Sequence, residues 1–282
     1  MAQTFGDWEC ICVDDGSTDE SGRILDEYAA KDGRFRVIHQ PNGGVASARQ
    51  KGLDSARGEW IAWFDADDWA EPGNLEHLYS GSEGVDFVWA NYRQEDERGK
   101  GGLLDTACAE TAEELNVAIL SGRTWGALWN KLFSRSCVVR LGIGFPDRTH
   151  DGEEDVCFTC AFLTHGVKVR HVDSADYHYV VRKGSLAHSE MSDALARRLV
   201  NVCDFLAPVV KTPAERAALG VRRARVKSWL ALSPSVSDAC YYSVYPELSL
   251  TAAFPTAPLH RKLRFWLADH HLRSVYSWLP RP

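Results

Sequence analysis

An apolar run that stops abruptly in a cluster of acids constrains this chain more than any other stretch. Trp60-Ile61-Ala62-Trp63-Phe64 leads directly into Asp65-Ala66-Asp67-Asp68-Trp69. The apolar part reads as a buried strand, with the acids at its C-terminal end. Open α/β sheets bind ligands at that edge. Carboxylates in an Asp-x-Asp spacing can share one hard divalent cation, which combines them with substrate phosphates. Like charges this close repel one another unless a cation is present. A solvated turn after a strand is the plainer alternative. The pattern points to a metal-dependent enzyme acting on a nucleoside diphosphate compound.

The segments around this turn predict a sheet of alternating strands and helices. Residues 8–13 read as a buried strand running into Asp14-Asp15-Gly16-Ser17-Thr18-Asp19, where Gly16 frees the turn and the hydroxyls and Asp19 can cap a helix over 20–30. A strand over 35–39, a Pro41-Asn42-Gly43-Gly44 loop and a helix over 45–56 follow. Strand-helix-strand-helix-strand at this spacing predicts a parallel, right-handed sheet that includes the 60–64 strand. Further on, the pattern predicts a helix over 74–79, a strand over 86–92, an exposed loop over 94–102 and a helix over 110–120. An acidic loop over 146–155 precedes a helix over 156–164, and strands are expected over 168–172 and 177–181. After Met191, short helical patterns rich in Ala, Leu and Arg are broken by prolines. The expected regions are 1–100, nucleotide binding; 101–190, acceptor binding and catalytic base; and 191–282, a helical, basic extension.

Several clusters carry chemistry, and each has a plainer alternative. Asp14 and Asp15 at a strand end can accept the ring N–H of uracil, or simply cap a turn. Glu153-Glu154-Asp155 can supply a general base, or stabilise the dipole of the helix they precede. Arg49 and Lys51 can face phosphates, or line a solvated helix face. In Tyr177-His178-Tyr179, with Arg182, Gly184 and Ser185, His178 can be a third metal ligand or a structural histidine, and Arg182 can be a phosphate clamp.

Charge is unevenly spread. Residues 1–93 carry 18 Asp or Glu against 8 Lys or Arg, whereas residues 191–282 carry 6 against 13. The first part suits a cation, and the tail suits an anionic surface. The net charge of -7 weighs against nucleic acid as the main partner. The eight cysteines are scattered, and the single C-x-x-C, Cys157 to Cys160, lacks a second pair at zinc spacing. Buried thiols in a reducing compartment are expected. Neither a signal peptide nor a spanning run of about 18 apolar residues is evident, so a cytoplasmic protein is expected, peripheral at most on the inner face of the plasma membrane.

In order and spacing, Val13 to Asp19, Ala48 to Gly52, Gly58 to Trp69, Trp129 to Phe133, Glu154-Asp155 and Tyr177 to Leu186 resemble the family 2 glycosyltransferases. These are inverting, nucleotide-sugar-dependent enzymes with the α/β, Rossmann-like GT-A fold. The nearest flavour is the bacterial surface-glycan type. The resemblance implies that Asp15, with Asp14 second, holds the uracil of a UDP-sugar. It implies that Asp65 and Asp67 form the motif for Mn2+ or Mg2+, with Asp67 the direct ligand. Arg49 would stand near the diphosphate, and Asp155, or Glu154 beside it, would be the base. Trp129, Asn130 and Lys131 would shape the donor-sugar and acceptor site. The implied acceptor is a surface glycan or glycolipid.

Two departures from the family pattern stand out. Gln50 replaces the usual Asn. The chain also starts at what matches the end of the family's first helix, so the opening strand and most of that helix are expected to be missing from this sequence. That strand would lie between the 8–13 and 60–64 strands. The expected alternative to a working transferase is therefore a truncated, non-catalytic remnant that binds nucleotide at best. A nucleotidyltransferase would also use metal carboxylates, but the Gly-rich phosphate loop it needs is not seen.

Overall fold

The computed structural model describes residues 1–182, 190–273 and 275. Gly184, Ser185 and the rest of the 183–189 stretch lie outside the described residues. Strand β1 (Cys10–Asp14), helix α1 (Ser21–Lys31), β2 (Phe35–His39) and α2 (Val45–Ser55) open the chain. β3 (Trp60–Ile61), β4 (Trp69–Ala70), α3 (Asn74–Ser80), β5 (Phe87–Ala90), β6 (Tyr92–Asp96), β7 (Gly101–Leu104) and α4 (Ala112–Ser121) follow. Then come β8 (Lys131–Ser134), α5 (Arg135–Leu141), a 3-10 turn (Arg148–His150), α6 (Glu154–Leu163), β9 (Val169–Val172) and β10 (Tyr177–Val181). The remaining described elements are helical: α7 (Asp193–Leu206), α8 (Pro213–Leu232), α9 (Asp238–Ser243), α10 (Leu250–Ala253) and α11 (Leu259–Asp269).

Three ladders form among the described residues. β1 and β2 pair in parallel; a second sheet has the order β3-β8-β5-β9; a third has the order β4-β10-β6-β7. The expected parallel unit is thus present for β1 and β2. It does not extend to β3, which pairs antiparallel with β8, Ile61 opposite Phe133. The apolar run before the acids is also less buried than a central strand. Only Ile61 is fully buried and Phe64 is 55% exposed. The reason is that aromatic edges, rather than ladder bonds, hold its second half. Trp63 meets Phe133, Phe145 and Phe158 at centroid distances of 5.4, 5.6 and 5.0 Å. Phe64 packs on Tyr177 at 5.2 Å. The acids that follow are therefore aimed by side-chain packing on both faces.

The expected loop over 94–102 is instead the turn of a β6–β7 hairpin. Asp96 Oδ1 accepts from the backbone N–H of Arg98 and of Lys100, both at 2.9 Å. Gly99, at φ 72°, supplies the left-handed residue such a turn needs. The polar composition concealed a turn whose chemistry lies in Asp96 and Gly99.

One buried cluster joins the sheet to the helices after residue 191. Phe87, Phe133, Phe158 and Phe162 share it with Leu199, Val202, Leu206, Leu219 and Leu230. Polar contacts reinforce the joint. Asn116 of α4 donates to Glu215 of α8 at 2.7 Å within the interior, and Glu215 also completes a capping box with Thr212 at the start of α8. The helical extension is thus packed into the same core as the sheet, and this brings α7 and α8 up to the acidic loop.

Candidate active site

The acids expected at one site come from three separate stretches, and a single arginine ties two of them together. Arg49 lies midway along α2. Its Nη2 donates to Asp65 Oδ1 at 2.8 Å, and its Nη1 pairs with Glu154 Oε1. Glu154 opens α6 and is 3% exposed. Burial and the neighbouring Asp155 push its carboxyl up from the usual range, and Arg49 opposes that rise. Asp155 follows in the first turn. Burial raises its pKa too, with Asp65 adding to the rise and Arg49 and Lys131 opposing it. Asp155 Oδ1 accepts the N–H of Val156 at 2.7 Å, while Oδ2 has no hydrogen bond among the described residues.

The aspartates after β3 play three different parts. Asp68 is structural: its oxygens accept from the Tyr177 hydroxyl and the Val180 N–H, each at 2.8 Å. Burial pushes its pKa up to about 6. Asp65 is taken by Arg49, and its N–H donates to the Tyr177 hydroxyl at 3.3 Å. Asp67 is exposed, and its carboxylate has no partner among the described residues. Its backbone carbonyl accepts from Arg182 at 2.5 Å, so Arg182 fixes the turn.

This donor set fits a hard divalent cation that also takes phosphate oxygens. Asp67 offers an unengaged carboxylate and Asp65 a half-exposed one. No group of three or more His, Cys, Asp or Glu residues that could hold a metal occurs among the described residues. Magnesium-like ions bind through one or two carboxylates completed by phosphate and water, so two suffice. His178 has neighbours of its own. Its ring stacks on Trp69 at 3.5 Å, and its nitrogens lie 3.2 Å from Glu95 and 3.6 Å from Glu71. Pairing of β10 with β4 sets His178 opposite Trp69, which commits the ring to that stack. Neither ring nitrogen makes a hydrogen bond among the described residues, and a third ligand there stays an expectation.

Trp129, Asn130 and Lys131 form a buried floor. Trp129 stacks on Tyr177 at 4.6 Å and Tyr179 at 5.7 Å. Asn130 donates to the Ala90 carbonyl at 2.5 Å. Lys131 donates to the Ala127 carbonyl at 2.5 Å and to Asn130 Oδ1 at 2.7 Å. Burial drags the Lys131 pKa down to about 7, with the nearby Asp155 opposing. The polar atoms of Asn130 and Lys131 are thus used internally.

At the end of β1, Asp14 and Asp15 organise the backbone. Asp14 accepts from the Ser17 N–H at 2.9 Å and pairs with His39 Nδ1 at 2.8 Å. Ser17 and His39 hold its pKa down at about 2. Asp15 Oδ1 accepts from Gln40 at 2.7 Å and the Gly43 N–H at 2.8 Å; Oδ2 accepts from the Gly44 N–H at 2.8 Å. A carboxylate has about four lone-pair sites, so Oδ2 of Asp15 retains one. Asp151, which the sequence did not flag, sends Oδ1 to the Ala46 N–H at 3.2 Å. It thereby ties the loop before α6 to the start of α2. The sequence also gave no sign of Arg222, which pairs with Glu153 from α8.

Three comparisons bear on this arrangement. The family model described as "Glycosyl transferase family 2" matches residues 1–119. The glycosyltransferase GlyG of Streptococcus pneumoniae serotype 4 is 43% identical over 215 residues, covering 72% of this chain and 70% of that protein. EpsH and EpsJ of Bacillus subtilis are 37% and 31% identical over 65% and 71% of this chain. The chain spans only 55% and 60% of their respective lengths. Among solved structures, S. aureus TarS in complex with UDP-GlcNAc superposes with a TM-score of 0.60 at 18% identity, covering 95% of this chain and 72% of that one.

Proposed function

The chain belongs to glycosyl transferase family 2 and has the GT-A fold, and from that premise we propose that it moves a sugar from a UDP-sugar to a surface-glycan or lipid-linked acceptor by metal-assisted inverting displacement. The observation that carries this reading is the Arg49 bridge. It sets the acidic turn after β3 beside the Glu154–Asp155 pair, as a reaction joining a diphosphate leaving group to a proton acceptor requires. That TarS has been solved with UDP-GlcNAc and with UDP supports a uridine nucleotide as donor.

In this reading Asp155 takes the proton from the acceptor hydroxyl as that oxygen attacks the anomeric carbon from the side opposite UDP. Asp155 suits the role better than Glu154, because Glu154 is committed to Arg49 and to the Gly152 N–H at 2.7 Å. Burial raises the proton affinity of Asp155, while Arg49 and Lys131 favour its ionised form, as a base needs. Asp15 receives the uracil N–H on its remaining lone pair, above an Asp14 fixed by His39. Trp129, stacked on two tyrosines, gives the sugar a rigid wall. Much of the rate would come from holding donor and acceptor in line. Asp67 and Asp65 would hold Mn2+ or Mg2+, which when bound offsets the charge on the departing diphosphate.

Eight free cysteines support a reducing, cytoplasmic setting. No helix among the described residues is long and apolar enough to cross a membrane. The reading is tested by incubating the protein with a panel of UDP-sugars and acceptor lipids, with Mn2+ or with a chelator. UDP release that the chelator stops supports it. Binding of UDP with no release from any donor supports a second reading, a nucleotide binder without turnover. The two-residue β3 ladder and the separation of β1–β2 from the other sheets favour that second reading.

A further inference from the structure

Glu153 immediately precedes α6 and stands in the N-cap position, yet its side chain makes no cap hydrogen bond. It turns instead to Arg222 of α8, whose Nη2 pairs with Glu153 Oε2. Arg222 is 9% exposed, and its Nε has no hydrogen-bond partner among the described residues. The pair is therefore an inward-facing link between two elements 69 residues apart. The loop before Glu153 is also held from α7. Asn201 donates to the Thr149 carbonyl at 3.1 Å, Arg198 reaches the Asp151 carbonyl at 3.5 Å, and Phe205 meets the His150 ring edge-on at 5.6 Å. Every residue from Thr149 to Asp151, and Glu153 after them, thus has a contact to the helical extension.

We propose that this extension belongs to the catalytic apparatus, with Arg222 as a positioning residue that acts through Glu153 on the Glu154–Asp155 pair. The inference rests on the transferase reading above. Arg222 touches neither donor nor acceptor. It locks Glu153, two residues before the base, so the first turn of α6 has one orientation. It also cancels a charge: a bare Glu153 carboxylate two residues from Asp155 would disfavour ionisation of the base.

The charged groups around the two acids set the expected signs. Glu153 faces Arg222 and Arg225 of α8, and Asp155 on its own helix. Asp155 faces Arg49 of α2, Asp65 after β3, Lys131 of β8 and its neighbour Glu154. Burial already raises the Glu153 pKa and Arg222 opposes that rise. Arg222→Met therefore adds a negative charge facing the base only where Glu153 is ionised, and over that range the acidic limb of kcat moves to higher pH. Glu153→Gln leaves an added positive charge, so the limb moves to lower pH. Each shift is expected at roughly one pH unit, a tenfold change in the ionisation equilibrium. Arg222→Met/Glu153→Gln removes both charges and returns the limb towards wild type. Arg222→Lys keeps the charge and keeps the profile.

The experiment is the pH profile of kcat and KM for UDP release by wild type and these four variants, with thermal melts in parallel. The inference expects opposite shifts for the two single variants, and KM for the UDP-sugar within about twofold, because nothing on the Asp15 side changes. General loosening would lower activity without moving the two limbs in opposite directions. Unshifted limbs in folded Arg222→Met and Glu153→Gln would overturn the inference while leaving the transferase reading intact. Where Arg222→Met does not fold, an unshifted Glu153→Gln overturns it alone. A wild type without turnover would instead sink the transferase reading itself.

Discussion

Arg49 and Glu154 are paired across 105 residues of sequence, and the pair joins α2 to the start of the helix that carries Asp155. Arg49 is 14% exposed and Glu154 4% in their side chains. Removing one partner of such a pair strands the other as a buried charge.

Arg49→Met is therefore expected to cost about 3–5 kcal/mol in chemical denaturation. Arg49→Met/Glu154→Gln should recover part of that loss, because the most buried partner no longer carries a charge, although Asp65 still loses its arginine. Equal stability of Arg49→Met and wild type would show that the bridge does not form in solution.

The Asp14–His39 contact predicts a pH signature at the end of β1. His39 is raised above its ordinary pKa by Asp14 and then Asp26, and Asp14 is held at about 2. The His39 contribution to stability is full below its unfolded pKa, about 6.5, and fades as pH rises through the folded value. The Asp14 contribution is full above its unfolded value of about 3.9 and fades as pH falls towards 2. An NMR titration should place His39 above 6.5, and Asp14→Asn should bring it back down.

Gly122 closes α4 in the left-handed region at φ 71°. A Cβ built there would stand 1.2 Å from Arg225 Nη1, and that nitrogen donates to the Ser121 carbonyl at 2.8 Å. Gly122→Ala should cost about 1–2 kcal/mol from backbone strain and more from displacing Arg225. A melting temperature lowered by at least a few degrees is expected.

On α11, Leu259, Leu263 and Trp266 are 84%, 44% and 45% exposed. They recur at the spacing of one helix face, with Lys262 at its border. Such a face predicts weak, salt-sensitive binding to anionic vesicles, with each basic residue near the surface worth about 1 kcal/mol. Vesicle sedimentation should show binding to anionic but not neutral lipid, and loss in Leu263→Glu/Trp266→Glu. Equal pelleting of wild type and that variant would refute it.

What the sequence disclosed, and what it hid, follows from the range of the forces involved. The β2 strand was legible to the residue, and α1, α2 and α4 to within one or two, because local periodicity and turn chemistry set them. The acids of the candidate site stood out in the sequence because each follows a marked strand or opens a helix. The pairing of β3 was not: its partner β8 lies seventy residues away, and antiparallel register leaves no local mark. The burial of Lys131 was equally hidden. So was the stack of His178 on Trp69, since a histidine ring between two glutamates looks the same in sequence as one beside a metal. Arg222 sits in an arginine-rich helix where nothing separates it from Arg223 or Arg225 except which way the helix faces.

The most direct test separates nucleotide binding from turnover at two residues. UDP binding by titration calorimetry with Mn2+, and UDP release from a UDP-sugar, are measured for wild type, Asp67→Ala and Asp155→Asn. Wild type should bind and release UDP. Asp67→Ala should lose metal-dependent binding and release together. Asp155→Asn should bind UDP like wild type and lose release by about a hundredfold or more, the scale of a general base. Unchanged release in Asp155→Asn, or metal-dependent binding undiminished in Asp67→Ala, would contradict the account.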